Sequence, residues 1–316
     1  MLSVLAVTFP FFAQVLLGYV AVRRGLLPLP AIPGLNTFVL FFALPCLLFR
    51  FGADTPIARL LDPAVFGLYL VCALLMVGMT MVLTHGRGTD WNNAAFGALT
   101  AAFPNSGFMG VPLLIALLGE RSAGPVIITI TIDMIITTSL CIALSRLDGE
   151  AGGVRAAAGR ALRGVATNPM PWAIVLGATF SALDFQLYPP LGKTVGLLAD
   201  SASPVALFTI GAVLARSQMN AAEASHWSSY VPVALVKLVA HPLLLFLAGG
   251  LARQAGLPID TFTLITLVLV ASLPSASNVS LLAERFGADN GRIARIILVS
   301  TALSFLSFSG AVVLLT

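Results

Sequence analysis

The chain has 316 residues, of which 58% are hydrophobic and only 9% charged, with a mean hydropathy of +0.99. Soluble domains carry about 25% charged residues, so this composition excludes a soluble globular protein and points to an all-α polytopic membrane protein. The net charge of +4 resides in loop arginines, which report topology and lipid contact, not nucleic-acid binding.

Ten apolar spans can be placed, at roughly 3–22, 34–52, 63–84, 91–118, 124–145, 169–185, 190–215, 228–251, 258–284 and 293–315. The first has no basic region before it and no cleavage site after it, so it is read as a retained helix and not a signal peptide. The longest connection lies midway and divides the spans into two sets of five. This gives a first five-helix repeat over 1–146, a cytoplasmic linker over 147–167 and a second repeat over 168–316. Arg155, Arg160 and Arg163 in the linker read as a basic loop lying against anionic lipid.

Span 2 carries Asn36 near its start and Phe42-Ala43-Leu44-Pro45 in its middle. Span 4 is interrupted by Phe103-Pro104-Asn105-Ser106-Gly107-Phe108-Met109-Gly110-Val111-Pro112. Pro104 removes a backbone hydrogen bond and clashes with the preceding turn, and the glycines and Pro112 hinder a regular restart. Span 5 holds Asp133 among Thr129, Thr131, Thr137 and Thr138. Span 7 holds Asp200 just before Pro204. Span 8 holds Lys237 and His241, four residues apart and so on one helix face, with Pro242 following. Span 9 repeats the interruption, at Leu273-Pro274-Ser275-Ala276-Ser277-Asn278.

Freed backbone groups cost several kcal/mol each in hydrocarbon, so a break at that depth is tolerated only inside protein or beside a watery cavity. Two such breaks at matching places in two halves are the sequence mark of a secondary-transporter binding site. Asn105 and Asn278 are the strongest candidates, because an amide beside a break can cap freed backbone and also offer donors to a ligand. Pro104, Ser106, Gly107, Pro274, Ser277 and Asn36 complete the expected substrate site. Lys237 offsets a substrate's negative charge or pairs with Asp133 or Asp200. Asp133, Asp200 and His241 are candidates for carrying a coupled ion or proton, since ionisable groups within spans are rare and costly. The half-helices that start after Pro104 and Pro274 present free N–H groups and a positive dipole end, which suits a carboxylate. Cys46, Cys72 and Cys141 lie in apolar spans without metal-ligand spacing and read as buried thiols. No metal and no cofactor is expected.

Odd-numbered loops hold eleven of the seventeen arginines and lysines and even-numbered loops five, with Lys237 inside a span. The positive-inside rule therefore places odd loops in the cytoplasm and both termini outside. An odd number of spans per half makes the second half enter from the opposite side, which is an inverted repeat.

At these residues the chain resembles the auxin efflux carrier family. Asn105-Ser106-Gly107-Phe108-Met109-Gly110-Val111-Pro112 is similar to that family's N-x-G-F-x-G-x-P stretch, and Ala43-Leu44-Pro45-Cys46-Leu47-Leu48-Phe49 to its A-L-P-x-L-L-F. Pro204-Val205-Ala206-Leu207 with Gly211 and Leu214-Ala215 resembles its span-7 motif. Leu273-Pro274 with Asn278 and Ala283-Glu284 resembles its span-9 motif. The four motifs cover both halves. The resemblance implies ten helices in an inverted 5+5 repeat, with broken helices 4 and 9 crossing near the substrate. It also implies a scaffold domain and a moving transport domain, and carriage of small organic anions. The compact length resembles bacterial members linked to malonate or malate.

The expectation is a bacterial inner-membrane secondary transporter of a small carboxylate, working by alternating access. The coupling ion, proton or sodium, and the oligomeric state, including a homodimer, stay open. The alternatives are a sodium-coupled bile-acid-type carrier and a membrane sensor without transport. An aspartyl protease built on Asp133 and Asp200 lacks the flanking glycine motif, and no other nucleophile–base set occurs, so no catalytic residues are assigned.

Overall fold

The computed structural model describes residues 2–54, 62–85, 89–147, 169–220 and 226–316. The central linker with Arg155, Arg160 and Arg163 lies outside them, as do Arg59 and Arg87. The described residues form helices, with a single isolated bridge and no strand.

The helices are α1 (Leu2–Arg23), α2 (Leu29–Asp54), α3 (Pro63–His85), α4 (Trp91–Ala102), α5 (Ser106–Leu118) and α6 (Glu120–Leu144) in the first half. The second half contains α7 (Pro169–Ala182), α8 (Pro189–Asn220), α9 (Val231–Gln254), α10 (Thr261–Ser272), α11 (Asn278–Arg285) and α12 (Asn290–Leu315). Seven of them are long and apolar enough to cross a membrane. The remaining stretches are α7, of 14 residues, and the two interrupted ones, which proline divides into shorter pieces. Large apolar side chains such as Leu17, Val82, Leu197, Leu251 and Leu314 are exposed, as expected where the solvent is lipid.

Two seams join the halves. Along α1 and α8, Gly18 and Gly211 let the backbones touch: an added Cβ would fall 1.8 Å from the Phe208 carbonyl oxygen or from that of Val15, respectively. Along α2 and α7, Gly52 and Gly177 do the same, with added Cβ atoms 2.9 Å from the Ile174 oxygen and 2.3 Å from the Phe49 oxygen. Small residues at such crossings are the means by which membrane helices gain close van der Waals contact.

The two interruptions are built alike. Asp90 caps α4 by accepting from the Asn93 amide, and Asp260 caps α10 by accepting from the Thr263 amide. Each helix ends in an extended residue before its proline, Phe103 (φ −96°, ψ 101°) and Leu273 (φ −64°, ψ 156°), because proline pushes its predecessor out of the helical region. The two breaks then bond to each other. The Asn105 amide donates to the Pro274 carbonyl at 2.8 Å and the Ala276 amide donates to the Phe103 carbonyl at 2.9 Å. This antiparallel bridge, with Pro104 opposite Ser275, satisfies four backbone groups that would each cost several kcal/mol in hydrocarbon. From α12, the Ser300 hydroxyl accepts from the Ser275 amide at 3.2 Å.

Candidate functional site

Two narrow cavities flank the bridge. The first, with free space of ≈ 10 Å³, about one water, is lined by Asn36 from α2, Thr209 from α8, and Phe108, Ser277 and Asn278 from the breaks. The second, with free space of ≈ 20 Å³, is lined by Pro104, Asn105, Gly107, Phe108 and Asn278, with Met134 from α6. Phe108 and Asn278 belong to both.

The local backbone explains the polarity. After the break, α5 starts with a π-helical turn, Ser106–Gly110, and the amides of Met109 and Gly110 both reach the Asn105 carbonyl. Among the described residues, no acceptor meets the amides of Gly107 and Phe108, nor those of Ser277 and Asn278 at the start of α11. The Asn105 side chain makes no capping bond, and the Asn278 side chain makes no hydrogen bond among the described residues. Both carboxamides are thus available at the cavities. The Ser106 hydroxyl turns back onto the Pro104 carbonyl at 3.3 Å, and the Ser275 hydroxyl is buried with no partner among the described residues.

The structure thus gathers Pro104, Asn105, Gly107, Ser277, Asn278 and Asn36 around the bridge. Pro274 contributes its carbonyl to the bridge itself. Lys237, His241 and Asp133 lie elsewhere, in a separate buried cluster. The Lys237 ammonium donates to the Ala271 carbonyl at 2.7 Å and lies 3.1 Å from His241 Nδ1. The Asp133 carboxylate accepts from the Tyr69 hydroxyl at 2.6 Å and from Thr137 at 3.1 Å. The Tyr69 and His241 rings, 6.2 Å apart, join the two parts of the cluster. Asp133–Thr137 and Val236–Ala240 are both π-helical turns, a widening that recurs at functional positions.

Asp200 stands apart from both groups. It is 67% exposed and pairs with Arg50 at 2.7 Å. Its helix, α8, has 32 residues, more than a bilayer requires, so sequence distance from the helix start does not fix its depth. Arg50–Asp200 and Arg121–Asp260 form ion pairs, and Lys237 joins neither.

Three residues of these sites were not singled out by the sequence. Phe108 is the Phe of the N-x-G-F-x-G-x-P stretch but carries no assigned role there. Thr209 and Tyr69 sit in apolar runs where nothing marks them. Arg292, counted as a loop cation, is buried: its Nε donates to the Ser229 carbonyl and its Nη1 to the Asn93 carbonyl, both at 2.9 Å. It thereby ties α12 to the start of α4.

Comparison with known proteins places the chain among membrane transporters. The profile of the family described as membrane transport protein matches residues 3–312. A Rhizobium meliloti (strain 1021) protein with a provisional malonate-transporter name is 30% identical over 324 residues, covering 100% of this chain and 97% of its own length. The Escherichia coli (strain K12) transporter YfdV, whose name gives no substrate, is 26% identical and covers 88% of this chain and 86% of itself. Auxin efflux carrier component 3 of Arabidopsis thaliana is 30% identical over 150 residues, which are 46% of this chain and 23% of that carrier.

Proposed function

We propose a function from one premise: the chain belongs to the membrane transport protein family, together with the auxin efflux carriers, and is a membrane transporter. Our reading is a secondary transporter of a small organic anion, malonate- or malate-like or an auxin-like acid, working by alternating access in the bacterial inner membrane. The observation that carries it is the position of Asn278: it lines both cavities, beside a bridge whose flanking half-helices leave amides free. Free amides and positive dipole ends at a break suit a carboxylate.

In this reading Pro104 and Pro274 hold the breaks open, and Asn105, Ser106, Gly107, Ser277 and Asn278 receive the carboxylate. Asn36 meets it from α2. The arrangement is ten transmembrane helices in an inverted 5+5 repeat, with interrupted helices 4 and 9 crossing, both termini outside and 147–167 a cytoplasmic linker. Three likenesses between the halves support the repeat: the paired Asp90 and Asp260 caps, the two prolines at the breaks, and the two glycine seams. The seams make α1, α2, α7 and α8 a scaffold, against which the interrupted helices and α3, α6, α9 and α12 move. Asp133 and His241 carry a coupled proton in the buried cluster. Asp200, exposed and paired, is the weakest member of the coupling set.

The test is uptake of labelled malonate, then malate, into proteoliposomes under imposed proton, sodium or potassium-diffusion gradients. Uptake that follows a gradient and is lost in Asn278→Ala is the expected result. Folded, inserted protein that binds but moves none of these acids would leave the membrane-sensor reading.

A further inference from the structure

A wider cleft, with free space of ≈ 420 Å³, lies away from the bridge, where α2 and α7 end and α8 begins. Small-molecule sites span about 300–1,000 Å³. None of its lining residues belongs to the two cavities beside the bridge. Both α2 and α8 are long enough to cross a membrane, so their ends stand at the level of the lipid headgroups. Leu183, Phe185, Tyr188 and Leu191 are exposed there, the mixture of apolar and aromatic surface that suits this level.

The end of α7 shapes one wall. The Asp184 amide donates to the Ser181 carbonyl at 3.4 Å and the Phe185 amide to the Phe180 carbonyl at 2.9 Å, which is a Schellman turn. The turn brings Phe185 back onto Phe180, with ring centroids 5.0 Å apart, and Phe180 meets Phe49 at 5.2 Å. Asp184 takes the left-handed position of the turn, at φ 51°. Glycine fills that position most readily, yet a carboxylate stands there, and it forms no ion pair among the described residues.

The other walls leave room and a cation. Gly192 and Gly196 line the cleft one turn apart on α8. An added Cβ at Gly196 would meet nothing within 4 Å, and one at Gly192 only the Leu187 Cβ at 3.8 Å. Glycine weakens a helix, and, unlike Gly211, neither glycine is required by a close approach within the chain. Arg50 donates from Nη1 to Asp200 at 2.7 Å and is 35% exposed. A guanidinium has five N–H donors, so others are left for a second acceptor. Asp54 adds another carboxylate to the wall. A guest that is only anionic would meet two carboxylates and one cation already paired. A guest with an ammonium beside a phosphate would find a partner for each.

We propose that this cleft holds the headgroup of one phospholipid that carries an ammonium next to its phosphate, with the phosphate against Arg50 and the ammonium against Asp184. The three phenylalanine rings meet the glycerol and the upper acyl chain, and the two glycines make the space for them. The lipid sits at the end of the α2–α7 seam and is independent of which acid the protein carries.

The test is a titration of delipidated protein in detergent with phosphatidylethanolamine and with phosphatidylglycerol of the same acyl chains, bound lipid being counted by native mass spectrometry. One phosphatidylethanolamine per chain is expected to bind about tenfold or more tightly than phosphatidylglycerol, as a charge-assisted hydrogen bond implies. Asp184→Asn, which also accepts the left-handed backbone, is expected to keep its melting temperature and lose the preference. Gly196→Leu, which fills the cleft, is expected to lose the tight site for either lipid. Equal binding of the two lipids by the wild type, a preference for phosphatidylglycerol, or a preference that survives in Asp184→Asn would each overturn the proposal. The competing occupant is a second copy of the chain: dimers that Gly196→Leu turns into monomers while the lipid preference is unchanged would also overturn it. Displacement of the lipid by an equal concentration of water-soluble phosphoethanolamine would overturn the lipid as the source of the headgroup. The wild-type titration decides by itself if a variant does not fold.

Discussion

The amide of Asn105 donates to the carbonyl of Pro274, 169 positions later in the chain, at 2.8 Å. The bond joins two breaks made by the same device, a proline after an extended residue. Each break supplies what the other lacks: Pro104 and Pro274 have no amide, and the residues beside them bond across. The site is therefore shared between the halves of the chain.

Replacing Pro274 by alanine restores an amide and the freedom to continue α10 as a helix. Winding α10 onward would withdraw the Pro274 carbonyl from Asn105. Pro274→Ala is expected to melt lower, because the Asn105 amide loses its acceptor, and its flux to fall at least about tenfold, equivalent to 1.4 kcal/mol. Melting in detergent and uptake in proteoliposomes, done on one preparation, check both losses.

Asn278 lines both cavities, whereas Asn36 lines one. A hydrogen bond to a charged group contributes about 1.5–3 kcal/mol. Asn278→Ala is expected to weaken carboxylate binding by about 10- to 100-fold, seen by calorimetric titration with malonate. Asn36→Ala is expected to weaken it less. Equal losses in the two variants would show that the cavities are not used as argued.

Arg292 holds the Asn93 and Ser229 carbonyls through a planar fork. Lysine keeps the charge but offers one compact donor head in place of the fork. Arg292→Lys is expected to lose about 1–3 kcal/mol of stability while leaving malonate affinity unchanged. A thermal melt and a titration separate the two effects.

At the α1–α8 seam a side chain on Gly211 would meet the Val15 carbonyl oxygen at 1.8 Å. No rotamer relieves a contact with backbone. Gly211→Ala is expected to destabilise by at least about 1–3 kcal/mol, read as a lower melting temperature and reduced yield from membranes. Gly67, with nothing within 4 Å of an added Cβ, is the control that tolerates alanine.

Much of the site is legible in the sequence because proline acts locally. Pro104 and Pro274 announce breaks whatever surrounds them, and polar residues next to a break at membrane depth must face something polar. Rotation and depth are different matters. Asp200 and Asp133 both lie among apolar residues, yet one is exposed and paired with arginine and the other is buried beneath Tyr69. Hydropathy averages over a helix and does not say which face a residue occupies. Lys237 shows the same limit: its charge invites an acidic partner, but the carbonyl left bare by the break in α10 is the nearer acceptor. That carbonyl is a product of tertiary structure and has no letter in the sequence.

Phe108 and Asn278 are common to both cavities, so the two spaces share part of one wall. A substitution at either residue would therefore change both spaces at once.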